Sequence, residues 1–317
     1  MTGKRGSLSE VSANYMLPEL SVIITSFNDG DLLGQLLDNC FKHCSPKVEL
    51  IVIDDGSTDS TFSISKDYSQ KISQLRVFRQ SNRGLSSARN LGVSVMRGRF
   101  GIFLDADDLL DIDLVSQLIL PVMSNEKLDF ALFQTDNFTL DDSLQTEVVR
   151  ANNYFSKSRA VKTSTLSGSE LANDLEKHNS FSVSAWQFVW DAEFLRERNI
   201  RFRRGVLMED NLFTFLLFSY AKRCRFFPVT PHRRAIRRAS ITQASEKCRV
   251  FAGYVDAYIQ IHRSISREKI DPEDWQKSFL NRIRFHINEL RPEVGAECAR
   301  IAVRDACPAS HNGHLSS

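Results

Sequence analysis

Three carboxylates crowd the end of an apolar run at Phe103-Leu104-Asp105-Ala106-Asp107-Asp108. Acids packed so closely repel one another. A hard divalent cation such as Mg2+ or Mn2+ relieves the repulsion and takes its remaining oxygens from a substrate diphosphate. The plainer role for Asp107 or Asp108 is to cap the next helix. Ile53-Asp54-Asp55-Gly56-Ser57 repeats the theme at an earlier strand end. An acid there can hydrogen-bond a ribose or base, although Asp-Gly-Ser is also ordinary turn chemistry. A further pair, Glu209-Asp210, opens an apolar stretch. Neighbours on a helix point in different directions, so one of the two faces a substrate, or both simply favour the helix dipole. Four arginines fall within Arg233-Arg234-Ala235-Ile236-Arg237-Arg238, a pattern that suits either a solvated face or an anion-binding loop.

Elements of a particular kind must hold these groups. Leu20 to Thr25 and Val48 to Ile53 are short, β-branched and almost continuously apolar, as strands buried on both faces are. Each leads through a turn into apolar residues at helical spacing. The first helix runs from an Asp31 cap to about His43, and the second from Asp59 through Phe62 to Ser73. A third strand, Leu75 to Gln80, precedes a helix around Leu85, Ala88, Leu91, Gly92 and Val95, and a fourth ends at the acids. A helix over Leu114 to Met123 and a strand over Asp129 to Gln134 follow, then a weakly patterned stretch, 136–180, read as a loop with one short helix. Trp186 and Trp190 stand at helical spacing, which suits core packing better than a sugar platform. Leu207 to Phe218 reads as a turn entering a buried helix, and 244–292 as helical. Alternating strand and helix predict an α/β fold: a doubly wound, mostly parallel sheet with ligands at the carboxyl ends of its strands.

Taken in order, SVIITSFND, IVIDDGSTD, NRGLSSARNLG and FLDADD resemble the nucleotide-sugar half of family 2 glycosyltransferases, inverting enzymes of the GT-A type. WQFVWDAEFL, IRFRRGVLMEDNLF and RRASIT extend the likeness more loosely to residue 243. The resemblance implies a UDP-sugar pocket lined by Thr25 and Phe27, with Asp55 on the base and Asn82, Gly84 and Arg89 on the uridine side. It makes Asp105-Ala106-Asp107 the DxD motif, Asp107 holding Mn2+ or Mg2+ and Asp105 the ribose or a metal-bound water. Asp210 then matches the general base, Glu209 positions it or an acceptor hydroxyl, and Arg237 and Ser240 match a loop closing over the diphosphate. The chain departs from the family at Phe188 and Asp191, where Lys and Arg are usual, and at Arg234 and Ala239, where an aromatic and Gly are common. The implied organisation is a tail (1–18), a nucleotide-sugar-binding half (19–135), an acceptor-binding and catalytic half (136–243), a helical extension (244–304) and a frayed end (305–317).

Composition bounds the alternatives. With 41 basic and 39 acidic residues among 317, a net charge of +2 argues against a nucleic-acid partner. No apolar run reaches the roughly 18 residues of a membrane span, and the N-terminus lacks the apolar stretch of a secretory signal. Six scattered cysteines with no CxxC pair read as reduced thiols of a cytoplasmic protein. A basic surface among Lys247, Arg249, Arg263 and Arg267 could bring the chain to the inner face of a membrane and a lipid-linked glycan acceptor. Two rivals share the fold. A sugar nucleotidyltransferase needs a Gly-rich phosphate loop where TSFNDGD stands. A non-catalytic nucleotide-sugar-binding subunit has no need of the intact acids.

Overall fold

The computed structural model describes residues 17–42, 45–155, 160–237, 247–268 and 271–306. Four strands carry the parallel half of the sheet: β1 (Leu20–Ser26), β2 (Val48–Asp54), β3 (Leu75–Arg79) and β4 (Phe100–Asp105). Helices Gly30–Lys42, Thr61–Lys71 and Leu85–Val95 connect them. The remaining strands are β5 (Leu109–Leu110), β6 (Phe130–Phe138), β7 (Phe188–Asp191) and β8 (Cys224–Ala235), and the order across the sheet is β3-β2-β1-β4-β7-β6-β8-β5. β1 to β4 run parallel, β7 is antiparallel to both β4 and β6, and β8 rejoins parallel to β6. The mostly parallel α/β sheet with a helical C-terminal region is therefore as the sequence pattern demands.

β1 and β2 are buried along their whole length, which is why they read as unbroken apolar runs rather than alternating ones. The sheet separates two cores. One packs Leu33, Leu36 and Leu37 against Val22, Ile24 and Leu50; the other collects Ile23, Phe103, Trp190, Phe213 and Phe218 under the C-terminal helices.

Several local expectations are corrected. Helix Gly30–Lys42 starts before Asp31, because Asn28 turns left-handed (φ 58°) and the Asp29 carbonyl accepts from Leu33 N; Asp31 falls in the first turn. The segment beyond Asp111 is helical from Ile112 to Glu126, with a π turn at Val115–Ile119. The described residues of 136–180 hold two α-helices, Gln145–Phe155 and Gly168–Lys177, and a 3-10 turn at Asp142–Leu144, besides the end of β6. Trp186 and Trp190 are not on a helix: β7 begins at Phe188, Trp190 lies fully buried and Trp186 stacks on His232. Two departures from the family pattern thereby acquire structural roles, Phe188 in the core and Asp191 as the cap of helix Ala192–Glu197, its Oδ1 accepting from Glu193 N and Phe194 N.

The 244–292 region is two helices, Lys247–Glu268 and Asp274–Leu290, and a third, Ala296–Ala306, packs on the first. That packing overturns the reading of all cysteines as free thiols. Cys248 and Cys298, fifty residues apart and on different helices, form a disulfide with Cα atoms 6.1 Å apart, while Cys224 is a free, buried thiol. Only tertiary contact brings the pair together, so spacing along the chain does not reveal it. Among the described residues no helix is long and apolar enough to cross a membrane.

Candidate active site

The acidic segments converge at the carboxyl ends of β1, β2 and β4, where register aligns Ser26 with Asp54 and Thr25 with Asp105. Turns of defined geometry hold the loops. Asn28 Oδ1 accepts from Thr58 N at 2.8 Å while its own N–H donates to Ser57 Oγ, latching the loop after β1 to the loop after β2. Left-handed backbone is tolerated by Asn, whose short side chain bonds locally. Gly56 (φ 80°) is required outright: a Cβ there would lie 2.6 Å from Asn82 N.

Asp55 organises the next layer. Its Oδ1 accepts from Gln80 Nε2 (2.6 Å) and Arg83 N (2.9 Å), and its Oδ2 from Gly84 N (2.8 Å), the residue that opens helix Leu85–Val95. Asp55 thus shapes the loop bearing Asn82 and Gly84, while Thr25 is buried at the strand end and Phe27 stands 45% exposed above it. These five residues lie at or just after the carboxyl ends of β1, β2 and β3.

Arg89 faces a second group of acids. It projects from the same helix, is only 2% exposed, and its guanidinium meets three acids: Glu209 Oε1 at 2.9 Å, Asp210 Oδ1 at 2.8 Å and Asp105 Oδ1 at 3.3 Å. Phe202 lies 5.2 Å away across its face. Burial opposes a charged guanidinium, but Asp210, Asp105 and Glu209 more than offset it and hold Arg89 protonated. Glu209 is pushed up to about 7 by burial and by Asp210, against the pull of Arg89. Burial likewise raises Asp210, Arg89 restraining it and Ala185 N–H bonding it. Of the pair, Asp210 is the more open, with 24% of its side chain exposed against 9% for Glu209. Met208, just before them, holds a left-handed φ of 60°, a strained conformation for a long side chain.

The third acid of the run has a different task from its neighbours. Asp108 is buried, pairing with His232 Nε2 at 3.1 Å and accepting from Ala235 N at 2.9 Å, so it pins β8 rather than facing the cleft. The strand pinned in this way delivers Arg237, whose Nη2 lies 2.6 Å from Asp107 Oδ2 and whose Nη1 is 3.6 Å from Asp29 Oδ1. Asp107 is pushed up to about 6 by burial and by the Asp108 and Asp105 charges, with Arg237 pulling the other way. Excess negative charge on hard oxygens is what a divalent ion relieves. Among the described residues no group of three or more His, Cys, Asp or Glu stands ready to hold a metal, so a metal on Asp107 and Asp105 would complete its coordination from a bound diphosphate and water. Ser240 lies outside the described residues.

Local pattern in the chain neither names the partners of Arg89 nor gives a role to Asn28, Asp29 or His232. Arg89 had a signal: it is the lone charge in a helix whose other residues are apolar, small or amide, and a buried guanidinium must find acids.

The fold has counterparts. The chain is 24% identical over 283 residues to an uncharacterized glycosyltransferase, YibD, of Escherichia coli, covering 89% of this chain and 78% of that one. Its fold matches S. aureus TarS 1-349 in complex with UDP-GlcNAc, with a TM-score of 0.66 at 19% identity over 91% of this chain and 79% of that one. It also matches the mannosyltransferase PcManGT from Pyrobaculum calidifontis in complex with GDP-Man and Mn2+, with a TM-score of 0.54 at 14% identity over 92% and 80%. The model of the family described as "Glycosyl transferase family 2" matches residues 21–198, more than half of the sequence, and the chain belongs to that family of glycosyltransferases.

Proposed function

We propose that the chain is a metal-dependent inverting glycosyltransferase that moves a sugar from a UDP-sugar to a hydroxyl of a glycan acceptor, in synthesis of a surface polysaccharide or glycoconjugate. One observation carries the reading: a single buried guanidinium, Arg89, touches Asp105 of the donor-side acids and both Glu209 and Asp210. Inversion needs a base on the face of the sugar opposite the leaving nucleotide, so donor-side and base-side acids must lie within one substrate of each other. Arg89 holds them so without spending either carboxylate on a salt bridge at the surface.

Asp210, the more open of the pair, takes the proton of the acceptor hydroxyl as it attacks the anomeric carbon. Glu209 shares Arg89 with Asp210, which fixes the orientation of the base. Asp107 and Asp105 would hold a divalent ion, which neutralises charge on the leaving diphosphate. Arg237 stands beside Asp107, within reach of the same oxygens, and supplies fixed positive charge there. A UDP-sugar donor is supported by the UDP-GlcNAc complex of TarS, and a divalent ion by the Mn2+ of PcManGT.

The test is product analysis with a set of UDP-sugars, Mn2+ and glycan acceptors, reading the anomeric configuration by NMR. An inverted glycosidic product, lost in EDTA and in Asp210→Asn, supports the reading. A product of retained configuration, a new sugar nucleotide, or nucleotide binding without turnover overturns it.

A further inference from the structure

The loop that carries the acid pair is gripped from two sides, and one grip comes from beyond the stretch the family model matches. On the sheet side, Asn90, next to Arg89, clamps the Phe202 backbone in both directions: its Nδ2 donates to Phe202 O (2.8 Å) and its Oδ1 accepts from Phe202 N (3.0 Å). The Phe202 ring stacks on Phe213 of the helix that Asp210 opens, centroids 4.3 Å apart. On the other side lies the C-terminal helix Lys247–Glu268. Arg203 Nε pairs with its Asp256 Oδ1 at 2.6 Å, the carboxylate being buried and the guanidinium one-third exposed. One turn earlier the same helix approaches the loop backbone at Gly253. A Cβ added there would fall inside contact distance of the Leu207 carbonyl oxygen, 2.7 Å from its carbon and 3.4 Å from the Met208 Cβ.

We propose that Gly253 and Asp256 of the C-terminal helix are positioning residues for transfer: they press the loop Arg203–Met208 into the conformation that aims Glu209 and Asp210 at Arg89. The helix has little freedom to yield. Near its start it is joined by the Cys248–Cys298 disulfide to helix Ala296–Ala306, and along its length it packs on that helix and on Asp274–Leu290. The loop is the softer partner, and the strained φ of Met208 marks where the pressure is taken up, one residue before the acids. Asp256 sets the second point of contact. Its carboxylate is raised by burial and drawn back by Arg203, so the pair holds only while both members are present.

A side chain at residue 253 must displace the Leu207 carbonyl by about 1 Å, and misplacement of a catalytic group by that distance costs roughly 100-fold in rate. The inference rests on the acid pair being the base, and the experiment separates the two. Wild type, Gly253→Ala, Asp256→Asn, Arg203→Gln, Arg203→Lys and Asp210→Asn are compared for melting temperature, UDP-sugar affinity by calorimetry, and kcat and KM well below the melting temperature. The expected result is donor affinity within about twofold throughout, kcat down on the order of 100-fold in Gly253→Ala and about tenfold in Asp256→Asn and Arg203→Gln, and partial recovery in Arg203→Lys, which keeps the charge. Should Gly253→Ala fail to fold, the Asp256 and Arg203 variants decide the matter alone. Lower melting temperatures with unchanged kcat per folded molecule overturn the proposal while leaving the base assignment intact if Asp210→Asn is inactive. An active Asp210→Asn overturns the base assignment itself, and with it the reason for the loop to be aimed.

Discussion

Two arginines meet the acids at the end of β4, and their surroundings differ. Arg89 is 2% exposed and shared by Asp105, Glu209 and Asp210; Arg237 is 39% exposed and touches Asp107 and Asp29. The first is a counter-charge that the fold cannot lose, because removing it leaves three acids together, one of them, Glu209, buried. The second is a counter-charge that solvent, or a substrate phosphate, can replace. One end of the acidic ridge is built for permanence and the other for exchange, which suits the proposed function, in which the base stays fixed while the donor comes and goes.

Arg89→Met should break this contrast most severely. Stranding buried carboxylates costs about 3–5 kcal/mol, so the melting temperature should drop sharply and transfer should vanish even at temperatures where the variant is folded. An Arg89→Met protein with near-normal stability would mean the acids carry protons and need no cation. Asp210→Asn comes next: transfer down by roughly 10²- to 10⁴-fold with UDP-sugar affinity little altered, measured by single-turnover rates beside calorimetry. Arg237→Ala should affect the opposite quantity, weakening UDP binding in Mn2+ by about 10- to 100-fold, as loss of a charge-assisted phosphate contact does. Arg237→Lys should restore little, since a point charge lacks the two-pronged contact; full restoration would reduce Arg237 to bulk electrostatics.

The smallest expected effect concerns pH. Glu209 in the folded chain is pushed up to about 7 from an ordinary 4.5, so between those values the folded state holds a proton that the unfolded state has released. Its contribution to stability is therefore present at low pH and lost as pH rises through about 7. Melting curves from pH 5 to 8 should show wild type declining relative to Glu209→Gln, which keeps the neutral form throughout. Parallel profiles would show that Arg89 holds Glu209 ionised across the range.

The two ends were also unequally legible in the sequence. Strands β1, β2 and β4 declare themselves because burial on both faces leaves nothing but apolar residues, and acids at the end of such strands have few places to be except a ligand cleft. Helix Asp210–Tyr220 was readable for the same reason. What stayed hidden are pairings across long separations: Arg89 with Glu209, Asp108 with His232, Cys248 with Cys298. Each member has an ordinary local explanation, and only the packing of distant elements chooses between that and the partnership. Trp186 and Trp190 are buried in the core as their type suggests, but their helical spacing arises by chance across the start of a strand.

The anchoring of β8 has a consequence for how the exchangeable end behaves. Ala235 N is bonded to Asp108 and Ile236 N to Phe138 O, so Arg237 stands one residue beyond a backbone held in place. Its Cα can lie no more than about 3.8 Å from an anchored neighbour. On so short a leash the guanidinium is present at Asp107 at high effective concentration, and it acts as an intramolecular competitor for any cation that approaches that carboxylate. A diphosphate offers the arginine an alternative partner and removes the competitor. Cation and nucleotide should therefore raise each other's affinity by the same factor, with the leash setting its size.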